Sequence, residues 1–227
     1  MTGPDVLADL DCALASTEVI VAGILESQWS APTPCTELDV REVVNHLVSG
    51  NLLFAALVHG GPLPDGDEDH LDGDPLASFQ RAAGELREAF AAPGALESVY
   101  TAPFGSGPGA ALAHVRIVEL LVHGWDLARA TGQQADCPPG VAERALAATR
   151  RQLTSRPEGP GAPFAAEVPV PDDAPARGLA GRIPRAAHSQ GDQPAFGPTR
   201  IPVPPAGLSG RGNRDQAVRA QSQYLPL

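Results

Sequence analysis

Three side chains in this sequence have the donors and the surroundings to hold a divalent metal: His46, Glu119 and His123. Glu119 and His123 close the run Glu119-Leu120-Leu121-Val122-His123, so on a helix they stand one turn apart on the same face. A carboxylate oxygen and an imidazole nitrogen are ordinary zinc ligands. On spacing alone the pair reads equally as an exposed Glu–His pair on a solvated helix. Its neighbours favour a metal site: Ile117, Val118, Leu120, Leu121 and Val122 make the segment apolar nearly all round, the pattern of a buried helix. A buried carboxylate needs a partner charge or a metal. His46 sits among Val43, Val44, Leu47 and Val48, where a lone histidine also serves as a hydrogen-bonded core residue. Antiparallel helices can bring His46 onto the Glu119/His123 face, and inward-facing Glu and His build the metal sites of ferritin-like bundles in this way. Two histidines and one carboxylate leave a coordination position open, as in catalytic zinc sites; the same facial set also suits Fe(II).

Two further residues bear on this site. Arg116, one turn before Glu119, can pair with that carboxylate or reach an anionic substrate. Asp126, three residues after His123, can orient a ligand histidine through its other ring nitrogen or pair with an arginine. Trp125 reads as a core anchor, and Gly50-Asn51 as packing where helices approach closely. Cys35 is too far in sequence from His46 to be an expected ligand. His59, His70, His114 and His188 read as non-ligands, the first two at or in a loop, His114 pointing round the helix, and His188 in a low-complexity stretch.

The elements that must position these residues are helices. Leu7, Leu10, Leu14, Val21, Ile24 and Leu25 recur at three- and four-residue spacing and predict a first helix over 5–28. Asp39 with Glu42 three residues later is the carboxylate form of a capping box, and the second helix runs from there to His59, where Gly60-Gly61-Pro62 stops it. The acidic stretch 62–73 lacks the glycine and glutamate positions of a calcium loop and reads as a solvated loop. A third helix covers 74–92, an irregular stretch or short extended link follows over 95–106, and a fourth helix covers 109–130 with Gly132 as its C-terminal cap. A shorter fifth helix covers 140–153.

Beyond Leu153 the character changes. Residues 155–227 hold 13 of the 24 prolines and no helix or strand period, which reads as loop or disorder. Residues 1–173 carry 9 arginines against 25 acids, whereas residues 174–227 carry 7 against 2. Two regions follow, a helical domain over 1–173 and a Pro/Arg/Gly-rich tail over 174–227. A frameshift near Pro175–Gly178 and a basic interaction tail for anionic partners both account for the switch.

Composition sets the class. Hydrophobic residues are 43% and aromatics only 4%, a core of Leu, Val and Ala that suits close-packed helices better than a sandwich. A net charge of -11 argues against nucleic-acid binding. The absence of Lys fits a GC-rich genome. Cys12, Cys35 and Cys137 form no C-x-x-C pair, as expected of reduced thiols in the cytoplasm. Neither a signal peptide nor an apolar run of membrane-spanning length is expected.

Two segments resemble a known family. Thr33-Pro34-Cys35-Thr36 through Val40-Arg41-Glu42-Val43-Val44-Asn45-His46-Leu47-Val48 is similar to the second-helix signature of the mycothiol-dependent maleylpyruvate isomerase N-terminal domain, and Arg116 through Gly132, with its E-x-x-x-H-G-W-D-L-A string, is similar to that family's other signature. The resemblance covers residues 5–173 and points to the shorter metal-binding subfamily. It implies a DinB-like four-helix bundle, all-α, with one extra short helix. It implies His46, Glu119 and His123 as ligands of a divalent metal, zinc first among them, and a low-molecular-weight thiol such as mycothiol as cosubstrate with a small electrophile. A thiol- and metal-dependent transferase or isomerase follows, with a non-catalytic metal-binding or structural bundle as the alternative. A homodimer through exposed apolar faces fits bundles of this kind. Leu38 stands where relatives have Trp, and no C-terminal domain like that of the full isomerases is visible, which counts against maleylpyruvate isomerisation itself.

Overall fold

The computed structural model describes residues 3–65, 68–102, 105–135 and 139–153. The expected domain boundary at residue 173, the tail over 174–227, Cys137 and His188 lie outside the described residues. The architecture is mostly helical: α1 (Gly3–Ala22), α2 (Val40–His59), α3 (Pro75–Ala91), a hairpin of β1 (Val99–Ala102) and β2 (Gly105–Pro108), α4 (Gly109–Thr131) and α5 (Pro139–Leu153).

Local chemistry sets most of these bounds. Asp39 Oδ1 accepts from the Glu42 amide at 2.9 Å while Glu42 Oε2 accepts from the Asp39 amide at 2.8 Å, the reciprocal capping box that starts α2. Gly60, at φ 69, ends it in the left-handed region that a glycine enters without strain. Asp74 caps α3 through the Ala77 amide at 3.0 Å, and Pro75 occupies its first turn.

One expectation is corrected. The first helix was expected over 5–28, but α1 stops at Ala22 and only a single 3-10 turn, Glu26–Gln28, follows. Here the Gln133 side chain donates to the Ile20 carbonyl at 2.9 Å, and Gln28 in turn donates to the Thr131 carbonyl at 3.0 Å. A side chain just beyond each helix thus bonds a last-turn carbonyl of the other, tying the ends of α1 and α4 together where the chain turns. The all-α expectation holds in outline, the chain being mostly helical, and the link expected to be irregular or extended includes a small antiparallel hairpin, Val99 opposite Pro108 and Ala102 opposite Gly105. Its second strand is Gly-Ser-Gly-Pro, which carries no β pattern. The hairpin stem caps α4 through backbone alone, the Gly109 amide donating to the Ser98 carbonyl and the Ala110 amide to the Leu96 carbonyl, both at 2.9 Å. A Cβ at position 109 would stand 2.0 Å from the Ala95 carbonyl oxygen, so only glycine fits that approach.

α1 packs on α3 and α4, α2 packs on α3 and α4, and α5 lies against α4 and α1. Leu10, Leu14, Leu47, Phe79, Leu86, Ile117, Leu120 and Leu127 are fully buried in the shared core. Asp9, itself buried, receives both Nε (2.8 Å) and Nη2 of Arg144 and ties α1 to α5. No helix among the described residues is long and apolar enough to cross a membrane.

Candidate metal centre

α2 and α4 run antiparallel where they cross: His46 faces Glu119, and one and five residues further along α2, Leu47 and Asn51 face Arg116, three residues back along α4. This register brings three ligand-type side chains together. His46 Nε2 lies 3.1 Å and His123 Nε2 3.6 Å from the same oxygen, Glu119 Oε2. The imidazole rings meet edge to face with centroids 4.9 Å apart. One donor atom from each residue lies within 4.8 Å of the other two, and among the described residues no other His, Cys, Asp or Glu group converges this way. The side chains are 21% (His46), 14% (Glu119) and 14% (His123) exposed, so the cluster is sheltered from bulk water on most sides but not sealed.

The donor set fits a divalent metal. Two Nε2 atoms and one carboxylate oxygen point at a common centre from two rigid helices, and His123 turns its other nitrogen, Nδ1, toward Asp126 Oδ2 at 3.2 Å. Asp126 is wholly buried. A carboxylate at Nδ1 fixes the ring orientation and leaves Nε2 for the metal, the common outer arrangement of ligand histidines.

Electrostatics tie the cluster together. Burial works against the Glu119 charge, but His123 and His46 outweigh it and hold this carboxyl well below its usual range. Burial also works against a charged His123, yet Asp126 and Glu119 overcome it and raise its pKa to about 9. His46 moves the other way: burial lowers it, and the hydrogen bond to Glu119 only partly offsets that. The shifts favour a charged His123 and a neutral His46 on either side of the Glu119 carboxylate.

Arg116 makes no ion pair with Glu119. Its Nε donates to Asn51 Oδ1 at 2.8 Å and its Nη2 to the Leu47 carbonyl at 2.9 Å, and burial pulls its pKa down to about 10. A Cβ at Gly50 would stand 2.6 Å from Arg116 Nη1, so Gly50 makes room for the guanidinium, and Asn51 is its acceptor. Reading Gly50-Asn51 as packing alone missed this socket. The signal was present: with His46 opposite Glu119 in an antiparallel pair, positions 50 and 51 must lie near 116. Trp125 is half-buried against the core, and Cys35, His59, His70 and His114 lie outside the converging group.

Comparison with known proteins agrees on the segment that carries this geometry. Residues 10–128 match the family model described as the mycothiol maleylpyruvate isomerase N-terminal domain. Two uncharacterized proteins of Mycobacterium tuberculosis, one from strain CDC 1551 / Oshkosh and one from strain H37Rv, are each 36% identical to the chain over 156 residues, covering 69% of this chain and 84% of their own length. No solved structure matches. The chain belongs to the mycothiol maleylpyruvate isomerase N-terminal domain family.

Proposed function

We propose that this family member is a DinB-like four-helix bundle that binds one divalent metal, zinc before others, through His46 Nε2, Glu119 Oε2 and His123 Nε2, and that it presents a small thiol such as mycothiol to an electrophile. The observation that carries the reading is the convergence of two imidazole nitrogens and one carboxylate oxygen within 4.8 Å on two antiparallel helices. A divalent metal bound there would supply Lewis acidity and favour the anionic form of a thiol at neutral pH. The chain's own residues do the rest. Asp126 orients His123, α2 and α4 hold the three donors at fixed separation, and the low exposure of the ligands limits competing water.

The test is metal analysis of the purified full chain, with His46→Ala and His123→Ala as controls, followed by titration of the cobalt-loaded protein with mycothiol. The expected outcome is one metal per chain, lost in both variants, and a change in the cobalt spectrum on adding thiol. Wild type that takes up no metal after supplementation at neutral pH would sink the site. Metal uptake with a spectrum indifferent to thiol would leave a metal-binding bundle without thiol chemistry.

A further inference from the structure

Arg116 is the largest fully buried side chain among the described residues, 1% exposed. Its hydrogen bonds go to neutral acceptors, Asn51 Oδ1 and the Leu47 carbonyl, and no described carboxylate lies within ion-pair distance of it. A buried charge held only by neutral groups is an expensive way to join two helices, and an apolar side chain of similar volume would do so at lower cost. Yet the fold reserves space for it at Gly50 and turns the Asn51 carbonyl oxygen toward it. The socket lies one turn from Glu119 on α4 and one turn from His46 on α2.

We infer that Arg116 is a positioning residue whose fixed positive charge makes the metal-loaded centre select an anionic ligand at its open position. This rests on the metal reading above. Two neutral histidines add no charge; Glu119 and Asp126 together cancel a divalent ion. Arg116 then leaves the buried centre with one positive charge in excess, which a monoanion such as a thiolate neutralises. Screening is weak for groups this far from water, so the preference acts on whichever ligand completes the coordination.

The experiment uses the cobalt-loaded full chain titrated with azide, a monoanionic probe, followed by visible absorption, with cobalt affinity measured separately by competition against a chromophoric chelator. Arg116→Met removes the charge, Arg116→Lys keeps it in a different shape, and Asn51→Asp keeps Arg116 but neutralises it in place with an isosteric carboxylate. The expected result is that Arg116→Met and Asn51→Asp bind azide at least about tenfold more weakly, as a unit charge acting across roughly one helical turn of weakly screening protein implies, while Arg116→Lys stays near wild type. A merely structural role would follow shape instead: Arg116→Lys would fail alongside Arg116→Met, and Asn51→Asp would pass. That pattern overturns the inference, as does wild-type azide affinity in a cobalt-loaded Arg116→Met or Asn51→Asp protein, or a wild-type cobalt centre that takes no azide. Should Arg116→Met not fold, Asn51→Asp decides alone. A wild type that takes up no cobalt removes the metal reading, and this inference with it.

Discussion

α4 is buried against two neighbours, α1 and α2, and the two sides are built on different principles. Toward α1 it offers small and apolar groups. Thr17 Oγ1 bonds the Ala13 carbonyl of its own helix at 2.9 Å and reaches the Leu120 carbonyl at 3.2 Å, a Cβ at Gly124 would come within 3.2 Å of that hydroxyl, and Leu120 and Leu127 are fully buried. Toward α2 the same helix presents Arg116, Glu119 and His123, which meet Asn51, the Leu47 carbonyl and His46. Close apolar packing is what folding favours; a row of buried ionisable groups is what folding tolerates when something else requires it. One face of α4 is apolar packing, and the other carries the ligand-type side chains.

Breaking the apolar side gives the largest effect expected. Leu120→Ala leaves a cavity and costs about 2–5 kcal/mol of stability, read by denaturant unfolding, while the metal affinity of the folded fraction stays at the wild-type value. A variant that loses metal affinity in proportion to stability would erase the division between the faces. Asp126→Asn sharpens the comparison from the other side. It keeps shape and burial but removes the charge beside His123, and metal affinity is expected to fall by about 10–100-fold, read by competition against a chromophoric chelator.

The smallest effect is a pH dependence that belongs to the polar face alone. His123 titrates at about 9 in the metal-free fold against an ordinary 6.5, so the stability its charge contributes is fully present below 6.5 and is lost as pH rises through 9. His46, lowered from 6.5, contributes in the opposite sense, its share being present above 6.5 and lost on acidification. Between pH 6.5 and 9 only the His123 loss operates among these two histidines, so the metal-free protein is expected to become progressively less stable across that window. Thermal melts of metal-free protein check this. A flat profile, or one that survives in His123→Ala, would show that the proton is not held where the geometry puts it.

Much of this was legible in the residues. Asp39 and Glu42 announce the start of α2 because a capping box is a local bargain between neighbours, and Gly60 and Gly132 mark helix ends for the same local reason. The apolar collar around Glu119 signals a buried carboxylate because burial follows composition along one helix. What escaped reading depends on distant partners. The end of α1 is set by Gln133, and the hairpin is made by backbone pairing in a Gly-Ser-Gly-Pro strand that has no side-chain pattern to read. The Arg116 socket exists only once the register of α2 against α4 is known, and that register is itself fixed by the three residues that converge.

The split of the ligands between two helices also sets when the cluster can exist. His46 and Glu119 are 73 positions apart in the chain, so an unfolded molecule offers a cation nothing better than the local Glu119–His123 pair, and the full set forms only after a long loop has closed at an entropic cost. A bound ion would therefore act as a late clasp. It would leave early folding events untouched, slow the separation of α2 from α4, and raise the melting temperature with the logarithm of free ion concentration.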